Sequence, residues 1–189
     1  MKIDEFLSDY DFGVSHDIHI SAPPSVVYER LLWLDFNEVW IVRILETLRT
    51  GKLVSPSRVA GNLSQRLQGT GFVMLAEVTN EELLMGIAGR FWRRDGGRCF
   101  DLRVEDFVEF ARPGYAKVAW NFNVRANSSG GTVLSTETRT KCFGRAAKWK
   151  FGIYWFLIYP ASGLIRRAIL NRVKSDAESV SSKLETGHV

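Results

Sequence analysis

The chain has 189 residues, enough for one compact domain and short for two. With 46% hydrophobic and 24% charged residues, 16 Gly and 5 Pro, it is neither disordered nor collagen-like. Its two cysteines, Cys99 and Cys142, exclude a disulfide framework and a Cys-rich zinc site. Twenty-five basic against twenty-one acidic residues give +4, a mild bias that does not mark a dedicated nucleic-acid binder.

The opening segment carries four acidic residues and no apolar run, unlike a secretory leader, so a cytoplasmic single domain over 1–189 is expected. Residues 16–21 alternate, with His16, Ile18 and Ile20 on one face and Asp17 and His19 on the other, which predicts a strand. Pro23 and Pro24 suit the first turn of a helix whose apolar side holds Val27, Tyr28, Leu31, Leu32 and Leu34. Asn37 to Gly51 and Ser55 to Gly69 read as two further short helices. The period then drops to two. Phe72, Met74, Ala76 and Val78 alternate along one strand, and residues 83–88 form its hairpin partner. Residues 93–114 fit a strand or a helix, and the spacing of Val104, Phe107, Val108 and Ala111 favours a short helix. Residues 115–124 place Ala116, Val118, Trp120, Phe122 and Val124 on one strand face. The Gly130-Gly131 turn returns the chain into residues 132–141. A helical segment over about 145–183 follows, with a kink expected at Pro160.

The run from His16 through Ala22-Pro23-Pro24-Ser25-Val26-Val27 to Leu31 resembles the opening of the SRPBCC superfamily. That is the helix-grip fold of START lipid-transfer domains, birch-pollen allergens and polyketide cyclases. The run from Tyr154 to Pro160 followed by Ile165-Arg166-Arg167 is similar to a branch of it without an assigned activity. The resemblance implies an α+β fold, a curved antiparallel β-sheet wrapped around a long C-terminal α-helix, with two or three short helices after the first strand. It also implies a cavity between sheet and helix for an apolar small molecule or lipid. The superfamily's sheet usually has seven strands, whereas five or six are readable here.

Strand parity supplies the wall of that cavity. If Trp120 and Phe122 face inward, antiparallel pairing brings Leu134, Thr136 and Thr138 beside them; Phe72 and Met74 join from a neighbouring strand, and Tyr154, Trp155 and Tyr159 cover them from the last helix. The competing reading is that these side chains interdigitate into a solid core. His16 shares the inward face and is the candidate general base of the alternative, a polyketide cyclase- or dehydratase-like enzyme. A hydrogen-bonded structural histidine is the plainer reading. Asp106 would face inward only from a strand, and Glu137 and Arg139 read as a solvated pair on the opposite face. No hydrolase, metalloprotease, P-loop or dinucleotide motif occurs, so no cofactor and no metal are expected. Gly86 and Gly89 read as relief of crowding in a bent sheet.

Nine cations, from Arg139 to Lys174, lie between residues 138 and 175 with no Asp or Glu among them. Flanking Trp149, Tyr154, Trp155 and Tyr159, they fit weak contact with an anionic membrane. A soluble helix with its cations in water is the alternative. Charge alone does not make a nucleic-acid module, so no nucleic-acid partner is expected.

Overall fold

The computed structural model describes residues 1–34, 71–93, 97–99, 102–128 and 130–186; the helices expected over 37–51 and 55–69 lie outside them. A short helix α1 (Ile3–Phe6) leads into β1 (Phe12–Ile20) and α2 (Pro24–Leu32). The hairpin β2 (Val73–Val78) and β3 (Glu82–Gly89) follows. Then come α3 (Val104–Glu109), β4 (Ala116–Ala126), β5 (Thr132–Cys142) and the long α4 (Arg145–Thr186). The five strands form one antiparallel sheet in the order β1-β5-β4-β3-β2, with α4 laid across it. This is the α+β, helix-grip arrangement.

Local chemistry accounts for the elements. Pro23 takes extended angles at the N-cap of α2 and Pro24 opens the helix, where a missing N–H costs nothing. In β1 the even residues are shielded and every odd one is exposed, because one face meets α4. The β4–β5 turn needs left-handed backbone at Gly130 and Gly131, and a Cβ on Gly131 would stand 2.6 Å from the Ile20 carbonyl oxygen. Helix α4 runs without interruption through Pro160.

Both faces of the sheet are covered. On the inner face Leu83, Met85, Phe122, Val124 and Leu134 pack against Val27, Tyr28 and Leu31 of α2 and Ile169, Leu170, Val173 and Ala177 of α4. On the outer face Leu84, Ala119 and Leu75 pack against α1 and α3 through Ile3 and Phe107. Every residue of β3 is therefore buried. Gly86 sits where α3 comes closest, since a Cβ there would lie 2.8 Å from Leu75 and Phe107.

Two expectations need correction, for β2 and for the Glu137–Arg139 pair, and one open choice is decided, at Asp106. The alternation of β2 breaks at a bulge between Met74 and Ala76, so Glu77, not Ala76 or Val78, shares the inner face with Met74 and Leu83. There it accepts a 2.9 Å hydrogen bond from Tyr28 Oη of α2. Asp106 lies on the short helix that the spacing favours, where it caps α3 from the third helical position and pairs with Arg103 at 2.9 Å. Glu137 and Arg139 do pair, at 2.7 Å, but under the N-terminal segment rather than in water. Arg139 also reaches Asp4 at 2.8 Å and donates to the Leu7 carbonyl.

Candidate functional site

The inner face is not filled along its whole length. Toward the C-terminal half of α4 it is solid, and Phe122 and Leu134 are fully buried there. Nearer the middle of α4 a pocket of about 200 Å³ opens between sheet and helix. It is lined by Phe72, Val118, Trp120 and Thr138 from the sheet side and by Ser162, Ile165 and Arg166 from α4. Antiparallel register assembles the sheet wall, because Thr138, Trp120, Met85 and Met74 are successive partners across β5, β4, β3 and β2. The volume lies below the roughly 300–1,000 Å³ of drug-sized sites, so a compact group fits it.

Hydrogen bonds fix the wall. Trp120 Nε1 donates to Thr136 Oγ1 at 2.7 Å, and the Thr136 hydroxyl donates in turn to the Asn121 carbonyl at 2.8 Å. Both polar functions of Thr136 are thus spent on holding the indole, which lies 6.4 Å from the Phe72 ring and 5.0 Å from Phe122. Of the residues expected around a cavity, Phe72, Trp120 and Thr138 line the pocket, Thr136 positions Trp120, and Met74 is partly buried against the core. Tyr154 and Trp155 belong to a separate aromatic cluster with Phe12 and Phe151, and Tyr159 stacks edge-on to Trp155 and is half exposed.

Arg166 is the residue that sequence reasoning passed over, as one of nine cations. Its side chain is only 7% exposed, yet among the described residues it meets no carboxylate. Nη1 donates to Ser162 Oγ, Nη2 to Thr138 Oγ1 at 3.0 Å, and the buried Nε has no acceptor. Burial pushes the guanidinium down to about 10, still cationic at neutral pH. An uncompensated buried charge costs about 3–5 kcal/mol, so its presence calls for an explanation. A signal existed in the sequence: Arg166 stands three, four, seven and eleven residues before Ile169, Leu170, Val173 and Ala177, on the stripe that faces the core.

His16 pairs across β1–β5 with Thr136 and approaches α4, its Nε2 lying 3.8 Å from where a Cβ on Gly163 would be. Its Nδ1 is buried without a partner. Burial, then the charges of Arg166 and Arg167, hold its titration below the usual histidine range. No carboxylate among the described residues hydrogen-bonds the ring to fix a tautomer, as the histidine of a catalytic triad would require. Among the described residues no group of three or more His, Cys, Asp or Glu could hold a metal ion.

The outer side of α4 is apolar where it could have been polar. Trp149, Ile153, Phe156, Leu157 and Leu164 are exposed, Phe156 to 80%, and a hollow of about 530 Å³ lies between Gly152 and Pro160. Among the described residues no helix is long and apolar enough to cross a membrane.

No protein-family profile matches the sequence, and no curated protein matches it. Solved structures with a similar course of chain include a protein from Deinococcus radiodurans, 11% identical over 89% of this chain and 98% of that one, with a TM-score of 0.38. A hypothetical protein from Helicobacter pylori is 12% identical over 92% of each chain, with a TM-score of 0.38. The di-domain ARO/CYC protein StfQ of the steffimycin biosynthetic pathway is 13% identical over 96% of this chain and 55% of its own, with a TM-score of 0.43. Likeness at that level carries no function from those proteins to this chain.

Proposed function

We propose that this protein binds a compact apolar small molecule or lipid moiety in the pocket between its sheet and α4. The observation that carries the reading is the aromatic wall of Phe72 and hydrogen-bonded Trp120, left uncovered opposite Ser162 and Ile165 while, among the described residues, the inner face under the C-terminal half of α4 is packed. Burial of apolar ligand surface supplies the affinity, at about 25 cal/mol per Å² before the costs of association. The free thiols of Cys99 and Cys142 suit the reducing cytoplasm, which we take as its setting. Native mass spectrometry of detergent-free protein, with organic extraction, is expected to release a reproducible small molecule. Titration with naphthalene probes is expected to shift the Trp120 indole resonance. Val118→Phe, which fills the pocket from β4, is expected to abolish both at a stability cost of about 1–3 kcal/mol. Probe binding that survives Val118→Phe, or no binding by the wild type, overturns the reading.

A second reading rests on the exposed stripe of α4. Trp149, Phe156 and Leu157 beside Arg145, Lys148, Lys150 and Arg167 form the apolar and basic surface that contact with an anionic membrane needs. Co-sedimentation with phosphatidylserine vesicles that fails in Phe156→Ser/Leu157→Ser supports it, and absence of co-sedimentation by the wild type removes it.

A further inference from the structure

Arg166 brings together features that a structural arginine lacks. It is buried, it lines a pocket, and among the described residues its hydrogen bonds go only to neutral hydroxyls and one of its donors has no acceptor. A guanidinium carries five N–H groups, and two of them are occupied, by Ser162 and Thr138. Those two hydroxyls accept from Arg166 and so keep their own O–H groups to give. Among the described residues, the acids of neighbouring elements are turned elsewhere. Asp11 is held by Lys148 and the Cys142 amide, Asp17 lies on the exposed face of β1, and Glu77 takes the Tyr28 hydroxyl. Residues 138–175 contain no acid at all. The pocket is therefore an apolar wall with an unanswered positive charge and a fork of donors at one side.

We infer that Arg166 is the anion-receiving end of the pocket, and that the ligand is a compact amphiphile: a flat apolar body against Phe72 and Trp120, and a carboxylate on the guanidinium. The inference rests on the pocket reading above and adds the chemistry of the head group. A carboxylate matches because its two coplanar oxygens fit the guanidinium fork, with Thr138 and Ser162 as further donors. A neutral apolar ligand would bring no counter-charge to the guanidinium.

The test compares two probes with the same apolar body, 1-naphthoate and 1-naphthalenemethanol, by calorimetry and by NMR at about pH 7.5, where the acid is ionised. The wild type is expected to bind 1-naphthoate at least about tenfold more tightly. In Arg166→Met that preference is expected to vanish while 1-naphthalenemethanol still binds; Arg166→Lys is expected to keep part of it, since it restores the charge without the fork. The Arg166 Nε–H resonance of the wild type is expected to move downfield with 1-naphthoate alone, which tests the contact without any substitution. Equal affinity for the two probes, a preference that survives Arg166→Met, or an unmoved Nε–H resonance overturns the inference and leaves the apolar pocket standing. Binding of neither probe overturns the pocket reading together with it.

Discussion

The two faces of the sheet treat buried charge in opposite ways. On the outer face, Lys117 is 7% exposed and gives its ammonium to the Phe107 and Val108 carbonyls at 3.1 and 3.0 Å, closing the C-terminal end of α3. Arg139 answers Glu137 and Asp4, and Glu82 accepts from Asn121 at 2.8 Å and from the Lys2 amide at 2.9 Å. Among the described residues of that side, a neutral oxygen, Asn123 Oδ1, lacks a partner, and so does Arg90 Nε just past β3, where the guanidinium lies on the Tyr115 ring. On the inner face Arg166 Nε, His16 Nδ1 and Thr140 Oγ1 are all buried without one. Folding alone selects the first pattern, because an unmade hydrogen bond in the interior costs stability. The second pattern is the one that the proposed ligand pocket predicts for its own face.

Truncating a charge should therefore have opposite consequences on the two faces. Arg139→Met strips partners from Glu137, Asp4 and the Leu7 carbonyl, and is expected to lower unfolding stability by about 2–3 kcal/mol. That is at or below the low end for a buried pair, because Asp4 is open to water. Arg166→Met keeps most of the side-chain volume and removes a charge with no counter-ion. It is expected to leave stability unchanged or to raise it by up to about 2 kcal/mol. Urea denaturation of both variants decides the matter. If Arg166→Met destabilises as much as Arg139→Met, Arg166 is a structural residue and the contrast between the faces fails.

How much of this could be read from the chain depended on whether one local period governed a segment. Strand β4 was legible because Val118, Trp120, Phe122 and Val124 alternate without interruption, and β1 because its outward residues are polar. The short helix after residue 103 followed from the spacing of Val104 and Phe107. Strand β2 was legible only to Met74, since a bulge adds a residue that no side-chain pattern announces and turns Glu77 inward. The pocket was legible in part: Phe72, Trp120 and Thr138 line it, but the same parity also selected Phe122 and Leu134, which pack solid. Parity tells which face a residue takes; it does not tell how closely the opposing helix approaches. Arg166 was hidden by its type, because a charged residue among eight other cations reads as solvated although its position on the apolar stripe of α4 is not.

The smallest expected effect is the most local, and it joins His16 to Arg166. In the folded protein burial, and after it the charges of Arg166 and Arg167, hold His16 toward its neutral form, with Asp17 opposing only in part. In the unfolded chain the ring titrates near its ordinary value of about 6.5. As pH falls through that value the unfolded chain takes up a proton that the folded chain refuses, so the stability His16 leaves intact above about pH 6.5 is progressively lost below it. Asp4 is held low by Arg139; Asp11 is held low by Lys148 and the Cys142 amide despite its burial. Both act in a separate window, contributing above the ordinary carboxylate range near 4 and losing that contribution only at lower pH. Stability measured between about pH 7.5 and 5.5 is therefore expected to decline modestly in the wild type and to stay flatter in His16→Gln. A carboxylate seated on Arg166 would offset the repulsion His16 feels, raise its titration point and shrink the slope. The His16 Cε1–H chemical shift, followed against pH with and without 1-naphthoate, reads that change directly. An unchanged titration curve in protein saturated with 1-naphthoate would place the anion away from Arg166.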